Sequence, residues 1–199
     1  MLRIDQLRLL PGEPEAALLS KCARLLRVEP SVLTDLTVLR RAIDAREGLT
    51  LVYTVAVSAP QEAALLRRCR DKRVTAYAPE RYALPAPVAA PEVRPIVVGA
   101  GPAGLFAALV LARCGARPIL LERGRCVEQR QRDVQRFWAT GELDTESNVQ
   151  FGEGGAGAFS DGKLNTGTRD VRHRFIMEQL VSCGAPESIL TDALPHVGT

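Results

Sequence analysis

Residues 94–124, RPIVVGAGPAGLFAALVLARCGARPILLERG, decide how the chain is read. Ile96-Val97-Val98 is a short, β-branched apolar run, the pattern of a strand buried on both faces. Gly99, Gly101 and Gly104 then form G-x-G-x-x-G where that strand must turn into a helix. Gly99 permits the tight turn, Gly101 leaves room for a pyrophosphate, and Gly104 lets the helix lie close on the strand. The first-turn amides and the helix dipole favour phosphate charge at that end.

Leu105–Arg113 is apolar until its last residue, which suits a helix packed between a sheet and other elements, and Gly115 is placed to cap it in a left-handed turn. Pro118–Leu121 reads as a second buried strand, with Glu122 just past its end. Glu122 follows Gly104 by 18 residues, close to the roughly 20 at which a carboxylate meets an adenosine ribose. A lone glycine fingerprint is weak evidence, but here strand, turn, helix and acid agree on a dinucleotide site.

Composition bounds the rest. The 199 residues, 46% hydrophobic and 25% charged, suit one large or two small globular domains. The longest uncharged run, residues 95–112, contains the glycine turn and Pro102, so the fingerprint explains it better than a membrane span does. The first fifteen residues carry scattered charge and lack the apolar core of a signal peptide. Five cysteines without a C-x-x-C pair argue against a disulfide framework or a zinc site, and a reducing cytoplasmic setting is expected. Residues 1–90 hold 14 Lys+Arg against 10 Asp+Glu, and residues 91–199 hold 12 against 13. That basic excess at the front is too small to require nucleic acid.

Residues 1–84 read as a separate small α+β domain. Leu2–Leu9 alternates as a half-buried strand, Glu13–Val28 is helical and stopped by Pro30, and Leu49–Ser58 is a strand with Leu51, Tyr53, Val55 and Val57 on one face. Leu36–Leu39 favours a strand, although Leu39–Ala42 suits a helix equally well. A helix over Gln61–Asp71 and a strand over Val74–Tyr77 complete a β-α-β-β-α-β order, that of a ferredoxin-like sandwich. Residues 85–95 lie in a stretch with four prolines in twelve residues (84–95), a stiff linker. Residues 96–199 then form an incomplete Rossmann-like domain, making the whole an α/β protein.

Val127–Thr140 is expected to be a helix with Val127, Val134, Phe137 and Trp138 towards the core. The intervening Glu128, Arg130, Arg132, Asp133 and Arg136 read as a solvated face, with phosphate pairing by the arginines as the sharper alternative. Residues 150–164, QFGEGGAGAFSDGKL, place Gly152, Gly154, Gly155, Gly157 and Gly162 within eleven residues. Such density suggests backbone closely approaching a flat or charged ligand, with Ser160, Asp161 and Lys163 adding polar groups. His173 and His196 lack partners at ligand spacing, and Ser160 lacks a nucleophile-elbow context, so hydrolytic and metal chemistry are not expected.

Gly-Ala-Gly-Pro-Ala-Gly at 99–104, followed by Glu122-Arg123-Gly124, resembles the FAD-binding fold of glutathione-reductase-like flavoproteins. The strings SNVQFGEGGAGAFSDGKL (147–164), VQRFWATGELD (134–144) and PHVGT (195–199) are similar to a family of bacterial predicted FAD-dependent dehydrogenases. The resemblance implies FAD, its pyrophosphate on Gly99, Gly101, Pro102, Ala103 and Gly104, its adenosine ribose on Glu122, and Arg123 beside the adenosine. It places Gly154, Gly155, Ala156, Gly157 and Ser160 past the pyrophosphate towards the flavin, with Lys163 supplying charge there. Family members continue beyond the position of Thr199, so the chain is expected to be the N-terminal portion of a longer protein. The expected activity is a flavin-dependent oxidoreductase acting on a small molecule, with NAD(P)H a candidate electron donor. The alternatives are an NAD-dependent dehydrogenase, or a binding module whose basic N-terminal domain docks RNA or protein and whose flavin is structural.

Overall fold

The computed structural model describes residues 1–168 and 170–197, so Gly198 and Thr199, which end the PHVGT string, lie outside the described residues. The chain forms two compact units: Met1–Arg81 with Asn165–Pro195, and Tyr82–Leu164 with His196 and Val197.

The first unit is built from β1 (Leu2–Leu9), α1 (Ala17–Leu26), β2 (Thr34–Asp44), β3 (Thr50–Ser58), α2 (Glu62–Arg68) and β4 (Val74–Ala76). Its sheet has the order β2-β3-β1-β4, with every neighbouring pair antiparallel. Two consecutive polar residues, Asp5 and Gln6, interrupt the alternation of β1. The structure resolves that interruption with a bulge between Ile4 and Leu7, where Gln6 takes φ 60°. The extra residue re-phases the strand, so that Leu2 and Ile4 before it and Leu7 and Leu9 after it all enter one core. Leu18, Cys22, Ala23 and Leu26 of α1 and Leu65 of α2 pack onto the same side, with Tyr53, Val55 and Val57 of β3. Burial pushes the Cys22 thiol up to about 11, which leaves it inert. The helical option for residues 39–42 is overruled by pairing: β2 runs beside β3 from Thr34 to Asp44, with two register shifts.

The segment Asn165–Pro195, expected in the second domain, packs instead with the first unit. β2 is an edge strand with unpaired backbone groups. The amide of Arg41 donates to the Thr191 carbonyl at 2.7 Å, and the amide of Ala193 donates to the Arg41 carbonyl at 2.8 Å. Arg41 also closes an ion pair with Asp192 at 2.7 Å. This strip follows α5 (Val171–Ser182), whose N-terminus is capped by the Asp170 side chain accepting from the Arg172 amide at 2.9 Å.

In the second unit, β5 (Ile96–Val98) and β6 (Ile119–Leu121) pair in parallel, with α3 (Pro102–Arg113) between them and α4 (Val127–Thr140) after. Gly115 takes φ 85° and ends α3 as expected. The proline-rich stretch is tied down along its length: Val88 donates to the Cys114 carbonyl at 2.8 Å, and Arg94 Nε to the Arg117 carbonyl at 2.7 Å. The expectation of strands buried on both faces is corrected. Val97 is half-buried beside α3, whereas Ile96 and Val98 are 62% and 82% exposed. Two parallel strands with one covering helix leave the other face open among the described residues. Within the expected α4 stripe, Val134 is buried, but Trp138 and Val127 are exposed. Among the described residues no helix is long and apolar enough to cross a membrane.

Candidate functional site

The glycine turn has the geometry its residue types permit. Gly99 takes φ 98°, a conformation that side-chain-bearing residues rarely adopt, while its amide donates to the Leu121 carbonyl at 2.6 Å and extends the β5–β6 pairing. A Cβ on Gly104 would run into the Gly99 carbonyl oxygen, so only glycine allows α3 to sit this close. Gly101 caps α3 in an extended conformation, and the space a Cβ would occupy there is open. Pro102 supplies the first helical residue with its backbone angle preset, and the amides of Ala103 and Gly104 in the first turn have no intrahelical acceptor. Open space beside such amides at a positive helix end suits an anion.

Glu122 acts as a strut at this turn. Its Oε2 accepts from the Ala100 amide at 2.6 Å, and its Oε1 from the Gly124 amide at 2.8 Å. Those two backbone donors hold its carboxyl below the usual carboxylate range. Each oxygen keeps a second lone pair, so the carboxylate remains able to accept a ribose hydroxyl while already fixed in place. Arg123 is exposed, and its guanidinium carbon lies 4.3 Å from the centre of the Phe151 ring.

The second glycine loop folds onto the first. The Gly154 amide donates to the Ala100 carbonyl at 2.9 Å, and a Cβ on Gly155 would lie 3.2–3.3 Å from Pro102 Cδ and Gly101 Cα. Residues 99–104, 122 and 152–155, separated in sequence, are thus brought together. Ala156 opens a single helical turn that runs to Phe159. A Cβ on Gly157 would meet open space, and the Gly157 carbonyl accepts from the Ser160 hydroxyl at 2.9 Å. The Ser160 oxygen in turn accepts from the Gly162 amide at 3.1 Å, which commits that hydroxyl to the turn. Lys163 is exposed and paired with Asp161 at 2.7 Å, so its charge is largely compensated locally.

The residue that organises this loop is Arg130, expected from its charge on a solvated face. It is fully buried. Its Nη2 donates to the carbonyls of Asn148 and Val149 at 3.2 Å and of Gly155 at 3.1 Å, and its Nη1 donates to Glu153 and Gly155. The guanidinium carbon lies 4.9 Å from the Phe159 ring centre. Gly152 is the site where the loop passes the Arg130 side chain, because a Cβ there would overlap it. Burial draws the Arg130 guanidinium below its ordinary range, while Glu122 and Glu153 oppose that effect. Glu153 also accepts from the Val127 amide at 2.8 Å and so caps α4. The signal for Arg130 was present in the helical spacing: it stands four residues before Val134 and shares that residue's buried face.

Comparisons with known proteins reach part of this region. A family model described as an FAD binding domain matches residues 92–136, the span from the end of the proline-rich stretch through most of α4. Residues 1–59 match a domain of unknown function, DUF8436. The whole chain is similar to an uncharacterized protein of Clostridium beijerinckii, with 41% identity over 201 residues. The chain spans 38% of the length of that curated relative.

Proposed function

We infer that Tyr82–Leu164 is the adenine-dinucleotide part of an FAD site, in a flavin-dependent oxidoreductase whose remaining length lies outside this chain. The observation that carries this reading is the closure of Gly154–Gly155 over the Gly99–Gly104 turn, beside the open helix end of α3. A Rossmann-like arrangement of the second unit is supported by the parallel β5–β6 pair joined through α3. A ferredoxin-like first domain is supported by its element order and its sheet order β2-β3-β1-β4.

In this reading the amides of Ala103 and Gly104 bind the pyrophosphate, and Gly99 and Gly101 keep side chains out of its path. Glu122 accepts a ribose hydroxyl with the lone pairs its two amide donors leave free. Gly154, Gly155, Ala156 and Gly157 run past the pyrophosphate as a backbone wall, while Ser160 holds the end of that turn. Lys163 serves only after exchanging its bond to Asp161 for one to the cofactor. Bound FAD would supply hydride and electron transfer at its isoalloxazine ring, with NAD(P)H as a candidate donor and a small molecule as substrate.

The test is to purify the chain and its full-length parent, record visible spectra, and identify any cofactor released on denaturation. A parent with a flavin spectrum that releases FAD is the expected result. A colourless parent that cannot be reconstituted with FAD, or one that releases NAD instead, would overturn it.

A further inference from the structure

We propose that the first unit contains a binding site for a small organic anion, in the hollow between the polar face of its sheet and α5. This site is separate from the nucleotide cradle and does not depend on it.

The four-stranded sheet buries its apolar face under α1 and α2. On the opposite face Arg3, Ala56 and Thr37 form one row across β1, β3 and β2, and Thr54 and Arg40 form the next. α5 and the strip to Pro195 lie over this face, with Met177 and Ile189 buried. A cavity of about 600 Å³ remains between them, within the range of about 300–1,000 Å³ that small-molecule sites occupy. Its lining includes Arg3, Arg40, Arg81, Tyr77, Met177 and Ile189.

The charge arrangement is preorganised. Asp5 is held by the Arg3 guanidinium at 3.0–3.2 Å and by the Thr54 hydroxyl, which donates to it at 2.7 Å. Arg3 is therefore locked in orientation. The Arg40 charge acts on the same carboxylate from farther away. Among the described residues the guanidiniums of Arg40 and Arg81 donate no hydrogen bond. Of the acids that line the cavity, Asp192 is neutralised by Arg41 at 2.7 Å and Glu178 by Arg174 at 2.8 Å. Glu80 is the remaining acid of the lining. Among the described residues, counting Arg3, Arg40 and Arg81 against Asp5 and Glu80 leaves one positive charge at the hollow uncompensated. Tyr77, Met177 and Ile189 give the same space apolar walls. The matching ligand has an apolar body and one carboxylate or phosphate monoester group, which planar guanidiniums bind through paired hydrogen bonds.

The sequence supplies its own reporters, because its two methionines, Met1 and Met177, both line the cavity. The 199-residue chain, labelled at the methionine methyls, is titrated with phenyl phosphate, benzoate and phenol while the methyl resonances are followed. At least one of the two anions is expected to shift the Met177 methyl saturably, and whichever binds more tightly identifies the headgroup. Phenol is expected to bind at least tenfold more weakly. Arg40→Ala should weaken anion binding by about tenfold, Arg40→Lys by less, and Arg132→Ala in the second unit not at all. Arg40 is exposed, so folding should survive; if amide spectra of Arg40→Ala show otherwise, Arg81→Ala takes its place with the same expected loss. The proposal is overturned if neither anion gives a saturable shift at millimolar concentration, if phenol binds equally well, or if the folded arginine variant binds like the parent.

Discussion

The two units are held together by different physics. The first buries a continuous apolar cluster from β1, β3, α1 and α2, and its polar residues mostly decorate the surface. In the second, the buried hydrophobic side chains are small or few, namely Ala100, Cys114, Ala116 and Val134, while Arg130, Ser147 and Asn148 are buried with them. Its cohesion comes from glycine-enabled backbone contact and from one guanidinium bonded to carbonyls of a loop. Those contacts leave open space beside the start of α3, and the apolar strand face at Ile96 and Val98 stays uncovered.

The sharpest way to break this contrast is Arg130→Met. It removes the donors to four carbonyls, each of which costs about 1–3 kcal/mol when left buried and unpaired. The second unit should lose on the order of 5 kcal/mol. Hydrogen exchange should quicken across residues 148–157 while the β1–β3 amides stay protected. Unchanged exchange in that loop would mean that Arg130 does not hold it. Leu18→Ala is the converse experiment. Deleting this fully buried side chain should cost the first unit about 3 kcal/mol in chemical denaturation and leave exchange in residues 99–124 unaltered. A matching loss in both units would show that they unfold as one and erase the distinction.

How much of this was legible beforehand follows the same line. Local signals carry far: α4 spans Val127–Thr140 as its spacing implies, and the glycine turn has the strand, helix and acid expected around it. Long-range partners are not legible in this way. Arg41 and Asp192 stand 151 residues apart, and no local pattern announces that a strip after α5 will extend the edge of β2. The charge of Arg130 suggests exposure, whereas its helical position points inward beside Val134. Ile96 and Val98 look like core residues in any window, yet burial depends on a covering layer that the strand's own sequence does not specify.

Gly104→Ala probes the backbone contact itself. The added methyl meets the Gly99 carbonyl rather than a movable side chain, so α3 must shift, at a cost of about 2 kcal/mol. Nucleotide affinity of the parent protein should fall with it. Full retention of both stability and affinity would show that the close approach of helix and strand is incidental.

The smallest effect, and the one most specific to the second unit, is the pH dependence carried by Glu122. Its carboxyl is held below the usual range, first by the amide of Ala100 and then by that of Gly124. For an acid depressed in the folded state, the stabilisation is complete above its unfolded value of about 4.3 and is lost as pH falls through the lower folded value. Glu122→Gln should therefore cost the second unit about 1 kcal/mol near neutral pH, since one charge-assisted acceptor pair becomes weaker. The difference between parent and variant should shrink on acidification below about pH 4. Other carboxylates are also held below their usual range, Asp133 beside Ser147 and Arg125 among them, but they are common to both proteins and cancel in the difference. Exchange rates at the amides of Ala100 and Gly124 read the strut directly. If parent and variant differ by a constant amount down to about pH 3, the carboxylate charge contributes nothing to the turn, and the Glu122 geometry reflects backbone packing alone.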